Sequence, residues 1–349
     1  MHIPDGYLSP SSCAVLYAVA AGGWRVALKR VRARLLTRTV PLISVFAAFS
    51  FVLMMFNLPL PGGTTGHAVG AAVAAIVLGP SGAILAISMA LALQALLFGD
   101  GGLTTLGANC VNMAMVGSLV AYGTYRLLSG SSTRNARRRV FAAAISGYLS
   151  INAAALLAAT EFGLQPLLFH DARGVPLYAP YRLGIAIPAM MLGHLTLAGL
   201  AEAIIAGGMV AYLQSAKPEL LDRSLPAGDS PPLPAQGTAA ALSLRSLWFV
   251  TALLMMLTPM GIWAAGTAWG EWSPAELARH AGLRQGVPAG LQRLTALWTA
   301  PFPAYAPGFV KSAFVGYLLS AVFGVGLILM LSLLSSWRSR RLASREPQP

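Results

Sequence analysis

Charge is scarce in this sequence. Its 349 residues include 24 basic and 11 acidic ones, 10% in all, against about 25% in an average soluble protein. Cysteine is nearly absent too. Cys13 and Cys110 stand far apart, which excludes a CxxC metal knuckle and a disulfide framework. Several kinds of machinery are missing outright. No G-x-x-x-x-G-K-[ST] stretch occurs, so ATP is not bound through a phosphate loop. No H-E-x-x-H and no G-x-S-x-G stretch occurs, which removes the corresponding proteases and hydrolases. Asp100, Glu161 and Glu202 are the acidic residues in or beside apolar runs, too few for the relay of a proton-coupled pump.

What is present is apolar. Hydrophobic residues make up 56% and the mean hydropathy is +0.67, more than a soluble fold of this size can hide. The sequence reads as an all-α polytopic membrane protein. The net charge of +13 then belongs to cytoplasmic loops rather than to a nucleic-acid interface. Charge-free runs locate the spans: Gly6–Trp24, Thr39–Gly99, Gly101–Tyr125, Val140–Thr160, Leu183–Ala201, Ser246–Gly270 and Ser312–Trp337. The second run is three times the ~20 residues that cross a bilayer. Pro59, Pro61, Gly62 and Gly63 break it once, and Gly79, Pro80 and Gly82 break it again. Helices are expected near 40–57, 67–79 and 82–97, the middle one short. Basic residues cluster in 25–38, 126–139, 214–245 and the tail, which together hold 18 of the 24. With all four inside, the spans number nine, the N-terminus is outside and the C-terminus inside. No basic stretch and no cleavage site marks a removed leader, so Met1 is expected at the outer face.

Two parts are expected. Residues 1–213 hold seven helices. A Pro-rich stretch within 214–245 reads as a cytoplasmic linker. Residues 246–349 hold two helices, a long outer loop near 265–308 and a basic tail. Trp263, Trp269, Trp272 and Trp298 fall on that loop, where tryptophan favours the membrane surface.

The first two residues are Met-His. A free α-amine, the next amide nitrogen and the His2 imidazole close a five- and a six-membered chelate ring around one ion, three nitrogens in a plane. A fourth completes a square, which suits Ni(II) and Cu(II). His67 is the candidate for the fourth. It is the one His, Asp, Glu, Lys or Arg in the second run, it is expected on the side of Met1, and an intramembrane ionisable group is a functional candidate by default. Gly66 and Gly70 beside it permit close approach.

Met1-His-Ile-Pro-Asp-Gly-Tyr-Leu-Ser-Pro10 resembles the opening of the CbiM/NikM family. The stretches Pro61-Gly-Gly-Thr-Thr-Gly-His-Ala-Val-Gly70 and Gln94-Ala-Leu-Leu-Phe-Gly-Asp-Gly-Gly-Leu-Thr-Thr-Leu-Gly-Ala-Asn109-Cys-Val-Asn112-Met resemble two further family motifs. These proteins are the substrate-binding components of energy-coupling-factor (ECF) transporters for cobalt and nickel. The resemblance implies a seven-helix bundle with the N-terminus tucked in from outside. It implies Co2+ or Ni2+ as substrate, held by the Met1 amine, the amide and imidazole of His2, and His67. It also implies a transmembrane T component and cytoplasmic ATPases as partners, in a bacterial inner membrane.

Around that core the readings divide. Asn109 and Asn112, with Gln94 and Asp100, either hold His2 or His67 by hydrogen bonds or satisfy a re-entrant loop. His194 and Glu202 are either a transient stop on the ion's path or a structural contact between helices. Asp5 is expected to fix the hook through nearby amides. The basic loops meet either the partners or anionic lipid. The C-terminal part takes the place of the family's two-helix CbiN/NikN component, but Thr258-Pro-Met-Gly261 departs from the Pro-Asp-Gly pattern of the nickel type, which tilts the metal toward cobalt. The rival functions are an autonomous cation transporter or channel, a membrane metalloenzyme and a metal sensor.

Overall fold

The computed structural model describes residues 1–33, 36–60, 64–130, 135–222, 245–264, 267–280 and 286–343. Helix dominates, as low charge and long apolar runs require. Six helical stretches are long and apolar enough to cross a membrane, among the described residues. They are α1 (Pro10–Ala33), α3 (Ala71–Phe98), α4 (Leu106–Ser129), α5 (Ala136–Leu168), α6 (Leu183–Ala216) and α8 (Ala313–Ala343). Two shorter apolar helices join them, α2 (Leu36–Met54) and α7 (Leu247–Trp263). The protein is a multi-pass membrane protein. Much of the expected linker, 223–244, lies outside the described residues, as do Pro61–Gly63 of the first expected break. Around that break, Leu58–Leu60 and Thr64–Gly66 pair as a small antiparallel hairpin.

α3 is not one rod. A straight helix of 28 residues would run about 42 Å, yet both ends of α3 return to one histidine. His67, just before it, lies 3.2 Å from His2, and Asp100, just after it, lies 2.9 Å from His2. The chain therefore reverses, and it does so at Gly79, whose backbone is non-helical (φ 73°, ψ 166°). Glycine tolerates that conformation, and Pro80 starts the returning limb without an amide to satisfy. The two limbs coincide with the helices that Gly79-Pro80 separates in the sequence. The first limb, 71–78, is only two turns long.

Three helices carry π-helical turns: Gln94–Phe98 in α3, Cys110–Gly117 in α4 and His194–Ala198 in α6. Such turns concentrate at functional sites, and Gln94, Asn112 and His194 all fall on them. The packed interior is made of small and apolar residues. Ala71–Ile76 of α3 and Ala142, Ala154, Ala155, Ala158 and Ala159 of α5 are buried, allowing close helix approach.

The loops at one end gather on the N-terminal segment. Gly102 N donates to Ile3 O at 3.0 Å, and Ala179 N donates to Tyr7 O at 3.0 Å. The long connection between α7 and α8 closes over the same end. Tyr7 Oη donates to the Trp272 carbonyl at 2.8 Å, and Thr295 Oγ1 to the Asp5 carbonyl at 3.0 Å. Phe302 N donates to Leu97 O at 2.9 Å. Two of the four loop tryptophans pack against the bundle, and Trp263 and Trp298 stay exposed. Trp269 and Trp272 pack on Tyr181, with Trp269 also against Phe162. Trp298 Nε1 donates to the Leu96 carbonyl at 3.1 Å, while Trp263 is exposed. The loop is a roof on the bundle.

Candidate metal centre

Residues 1–9 form a hook pushed into the bundle. Met1, His2, Ile3, Tyr7 and Leu8 are buried. Buried backbone needs partners, and the 99–105 loop and the start of α4 provide them. Asn109 is the main one: Ile3 N donates to its Oδ1 at 2.8 Å, and its Nδ2 donates to Ile3 O at 3.1 Å. Thr105 Oγ1 also donates to Ile3 O. Asp5 accepts from Leu103 N at 3.1 Å and from Thr104 N at 2.7 Å. Gly102 has no room for a side chain, since a Cβ there would sit 2.3 Å from Asp5 N. At the far end of the hook, Ser9 N donates to Gln165 Oε1 at 2.9 Å.

The hook delivers His2 to His67. Nδ1 of His2 and Nε2 of His67 face each other at 3.2 Å, with the rings stacked at 4.8 Å between centroids. The His67 Nδ1–H is spent on the Ala68 carbonyl at 3.2 Å. That tautomer leaves the Nε2 lone pair turned toward His2, the usual preparation of a metal-binding imidazole. His2 and His67 are 1% and 3% exposed.

Two carboxylates border these nitrogens. Asp100 Oδ1 lies 2.9 Å from His2 Nδ1. Its Oδ2 accepts from Tyr305 Oη at 2.6 Å and from Gln94 Nε2 at 3.4 Å. Burial works against the charge on Asp100, but the His2 imidazole and the Tyr305 hydroxyl outweigh it and hold the carboxyl well below the usual carboxylate range. The second carboxylate is Glu271, whose Oε1 accepts from the Met1 amine at 2.7 Å. Sequence reasoning singled out neither Glu271 nor Tyr305. Both stand more than 200 residues from their partners, on a loop without a recognisable pattern.

Other candidates take different places. Neither asparagine contacts an imidazole through its recorded hydrogen bonds: Asn109 grips the Ile3 backbone, and Asn112 Nδ2 donates to Glu161 Oε2 at 2.9 Å. Gln94 Nε2 also donates to Tyr305 Oη at 2.8 Å. His194 Nδ1 donates to the Met190 carbonyl at 2.8 Å. Glu202 Oε2 accepts from Val69 N at 2.7 Å and Gly70 N at 3.0 Å. So Glu202 caps the first limb of α3, two residues after His67. His194 and Glu202 thus engage separate partners. Cys13 and Cys110 are buried free thiols.

Residues 2–220 match the family model of the cobalt uptake substrate-specific transmembrane region, CbiM. The chain belongs to that family. Its residues 244–341 match a second model, the PDGLE domain. The chain is 50% identical over 340 residues to the fused nickel transport protein NikMN of Rhodobacter capsulatus, covering 94% of this chain and 95% of that one. It is 40% identical to the probable fused nickel transport protein LarMN of Lactiplantibacillus plantarum, over 95% of this chain and 96% of that one. The cobalt transport protein CbiM of Geobacter sulfurreducens is 32% identical, over 71% of this chain and 69% of that one. A crystal structure of a truncated transition metal transporter superposes with a TM-score of 0.58 at 53% identity, covering 62% of this chain and 99% of that chain. These CbiM-family relatives are transport proteins, not enzymes. The departure at Thr258-Pro-Met-Gly261 does not set the C-terminal part outside the PDGLE domain. Those residues form the 3-10 turn Thr258–Trp263 at the end of α7.

Proposed function

We propose that this chain captures a divalent nickel or cobalt ion as the substrate-binding component of an ECF-type importer. The ligands are the Met1 amine, the amide and Nδ1 of His2, and Nε2 of His67. One observation carries the reading: a free chain terminus is buried beside two imidazoles whose nitrogens face each other at 3.2 Å. No structural role asks for that. An amine and two imidazoles gathered at one point offer nitrogen lone pairs that a single cation can share. Planar nitrogen coordination favours Ni(II) over Co(II), and the relatives that span the whole chain are named for nickel, which supports Ni(II) as the principal substrate.

In this reading residues 1–213 hold the ion, 214–245 link the parts, and 246–349 carry the roof and the basic tail. The site end faces outward, as the basic loops at the other end suggest. A transmembrane T component and cytoplasmic ATPases supply the motion that opens the square and releases the ion.

The test caps the Met1 amine with an acetyl group. That removes the amine lone pair and leaves every side chain in place. Calorimetric titration with Ni(II) is expected to give tight binding, with proton release, for the free terminus and at least ~100-fold weaker binding for the acetylated one. Binding is also expected to weaken as the pH falls, because protons compete with the metal for the amine, the amide and the imidazole nitrogens. Equal binding by the two forms would overturn the chelate.

A further inference from the structure

We propose that Asp100 and Glu271, with His2 Nδ1 between them, form an outer site that takes the hydrated divalent cation first and passes it to the nitrogen square. The proposal rests on the chelate reading above. It assigns a ligand to the C-terminal part of the chain, since Glu271 comes from the roof.

The geometry points to a site. One ligand atom from each of His2, Asp100 and Glu271 falls within 4.8 Å of the other two. Two ligands on opposite sides of an ion with bonds of ~2.1 Å stand ~4.2 Å apart, so a small closure of these side chains encloses one ion. The set is two carboxylate oxygens and one imidazole nitrogen, which suits an incoming cation that still carries water. Its order along the path is set by exposure. The Asp100 and Glu271 side chains are 17% and 16% exposed, whereas His2 and His67 are closed off from solvent. An ion from outside meets oxygen before nitrogen.

Three details fit a transfer. Each carboxylate at present holds one atom of the chelate, Glu271 the Met1 amine and Asp100 the His2 Nδ1. An ion that engages the carboxylates therefore frees the Met1 amine for its next stop and takes the place of the proton between Asp100 and His2 Nδ1. His2 Nδ1 lies within reach of both sets, 2.9 Å from Asp100 Oδ1 and 3.2 Å from His67 Nε2, so the ion keeps one bond while it exchanges the others. Asp100 is fixed at its far oxygen by Tyr305 and Gln94. Gln94 is fully buried, and its own Oε1 has no hydrogen-bond partner. A polar atom held without a partner beside Asp100 costs free energy, and a ligated water of the incoming cation would satisfy it.

The full-length protein is loaded with Ni(II) alone in a stopped-flow instrument, and the visible band of planar Ni(II) reports arrival at the nitrogen square. Glu271→Gln is expected to slow that arrival ~10-fold or more. Glu271→Asp, which keeps the charge, recovers part of the rate. Mn(II), which favours oxygen ligands, slows loading of the native protein and not of Glu271→Gln. The outer site is overturned if Glu271→Gln loads at the native rate, if Glu271→Asp is as slow as Glu271→Gln, or if Mn(II) slows both forms equally. The parent reading fails separately: then the native protein develops no planar band, or the protein with an acetylated Met1 amine develops it too.

Discussion

Asn109 holds the Ile3 backbone by both its amide atoms, one residue from the proposed chelate. Replacing it with alanine leaves a buried N–H and weakens the hold on a buried carbonyl, about 1–3 kcal/mol for an unsatisfied group. Asn109→Ala is expected to lower the melting temperature of the metal-free protein and to weaken Ni(II) binding ~10- to 100-fold, read by thermal unfolding and calorimetry. Unchanged affinity with a lowered melting temperature would make Asn109 a fold residue only. At this scale the legibility of the sequence was uneven. Met1, His2 and His67 could be named because chelation depends on residue type and on place in the chain. Asn109 could be named, but the backbone it holds could not, since an amide side chain has many possible partners. Glu271 was silent: an exposed-looking glutamate on a loop is the commonest of surface residues, and its separation of 270 positions from Met1 leaves no local signal.

Elements carry the site through their ends. The first limb of α3 begins at Gly70, which offers no capping side chain, and Glu202 of α6 supplies the missing acceptor for two amides. A carboxylate also suits the positive end of the helix dipole. Glu202→Ala is expected to cost about 1–3 kcal/mol and to loosen His67. Glu202→Gln keeps an acceptor and recovers most of that loss, as thermal unfolding of both variants would reveal. On the roof, Ser273 and Glu276 form a reciprocal cap on the short helix Pro274–His280: Ser273 N donates to Glu276 Oε2 at 2.9 Å, and Glu276 N to Ser273 Oγ at 3.3 Å. Burial opposes the charge on Glu276, but the hydrogen bonds from Ser273 and Thr267 outweigh it and lower its titration. A depressed carboxyl stabilises above its unfolded value and loses that contribution as the pH falls through its folded value. The roof helix is therefore expected to loosen in acid below about pH 4.3, and Ser273→Ala, at a cost of ~1 kcal/mol, to reproduce part of that effect at neutral pH. Hydrogen exchange across 273–280 checks both. The helices themselves were legible because charge-free runs and Gly79-Pro80 mark limbs and breaks directly. The cap from Glu202 was not, because it joins elements 132 residues apart.

For the whole molecule, the roof is the feature that hydropathy could not place. Tryptophan partitions to a membrane surface and to a protein–protein contact for the same reason, an apolar body with one polar atom. The sequence alone cannot separate the two, and the contact of Trp269 and Trp272 with Tyr181 was not legible in it. The position of the two C-terminal helices, by contrast, followed from charge-free runs alone. Dependence on partners is the property to test at this scale. Proteoliposomes containing the chain alone are expected to bind Ni(II) and not to accumulate it, and added T component and ATPase to confer uptake with ATP. Accumulation by the chain alone would favour the rival reading of an autonomous transporter or channel.

The paired Met1 amine also ties this protein to its own synthesis. Where translation begins with formylmethionine, the formyl group occupies the one nitrogen that Glu271 grips, and a formamide can neither carry the charge of that ion pair nor donate an amine lone pair to a metal. Removal of a single carbon atom would then have to come before the hook closes, because Met1 is sealed in once the roof is down. A peptide-processing enzyme, acting early in the life of the chain, would thereby decide how many finished molecules are able to load.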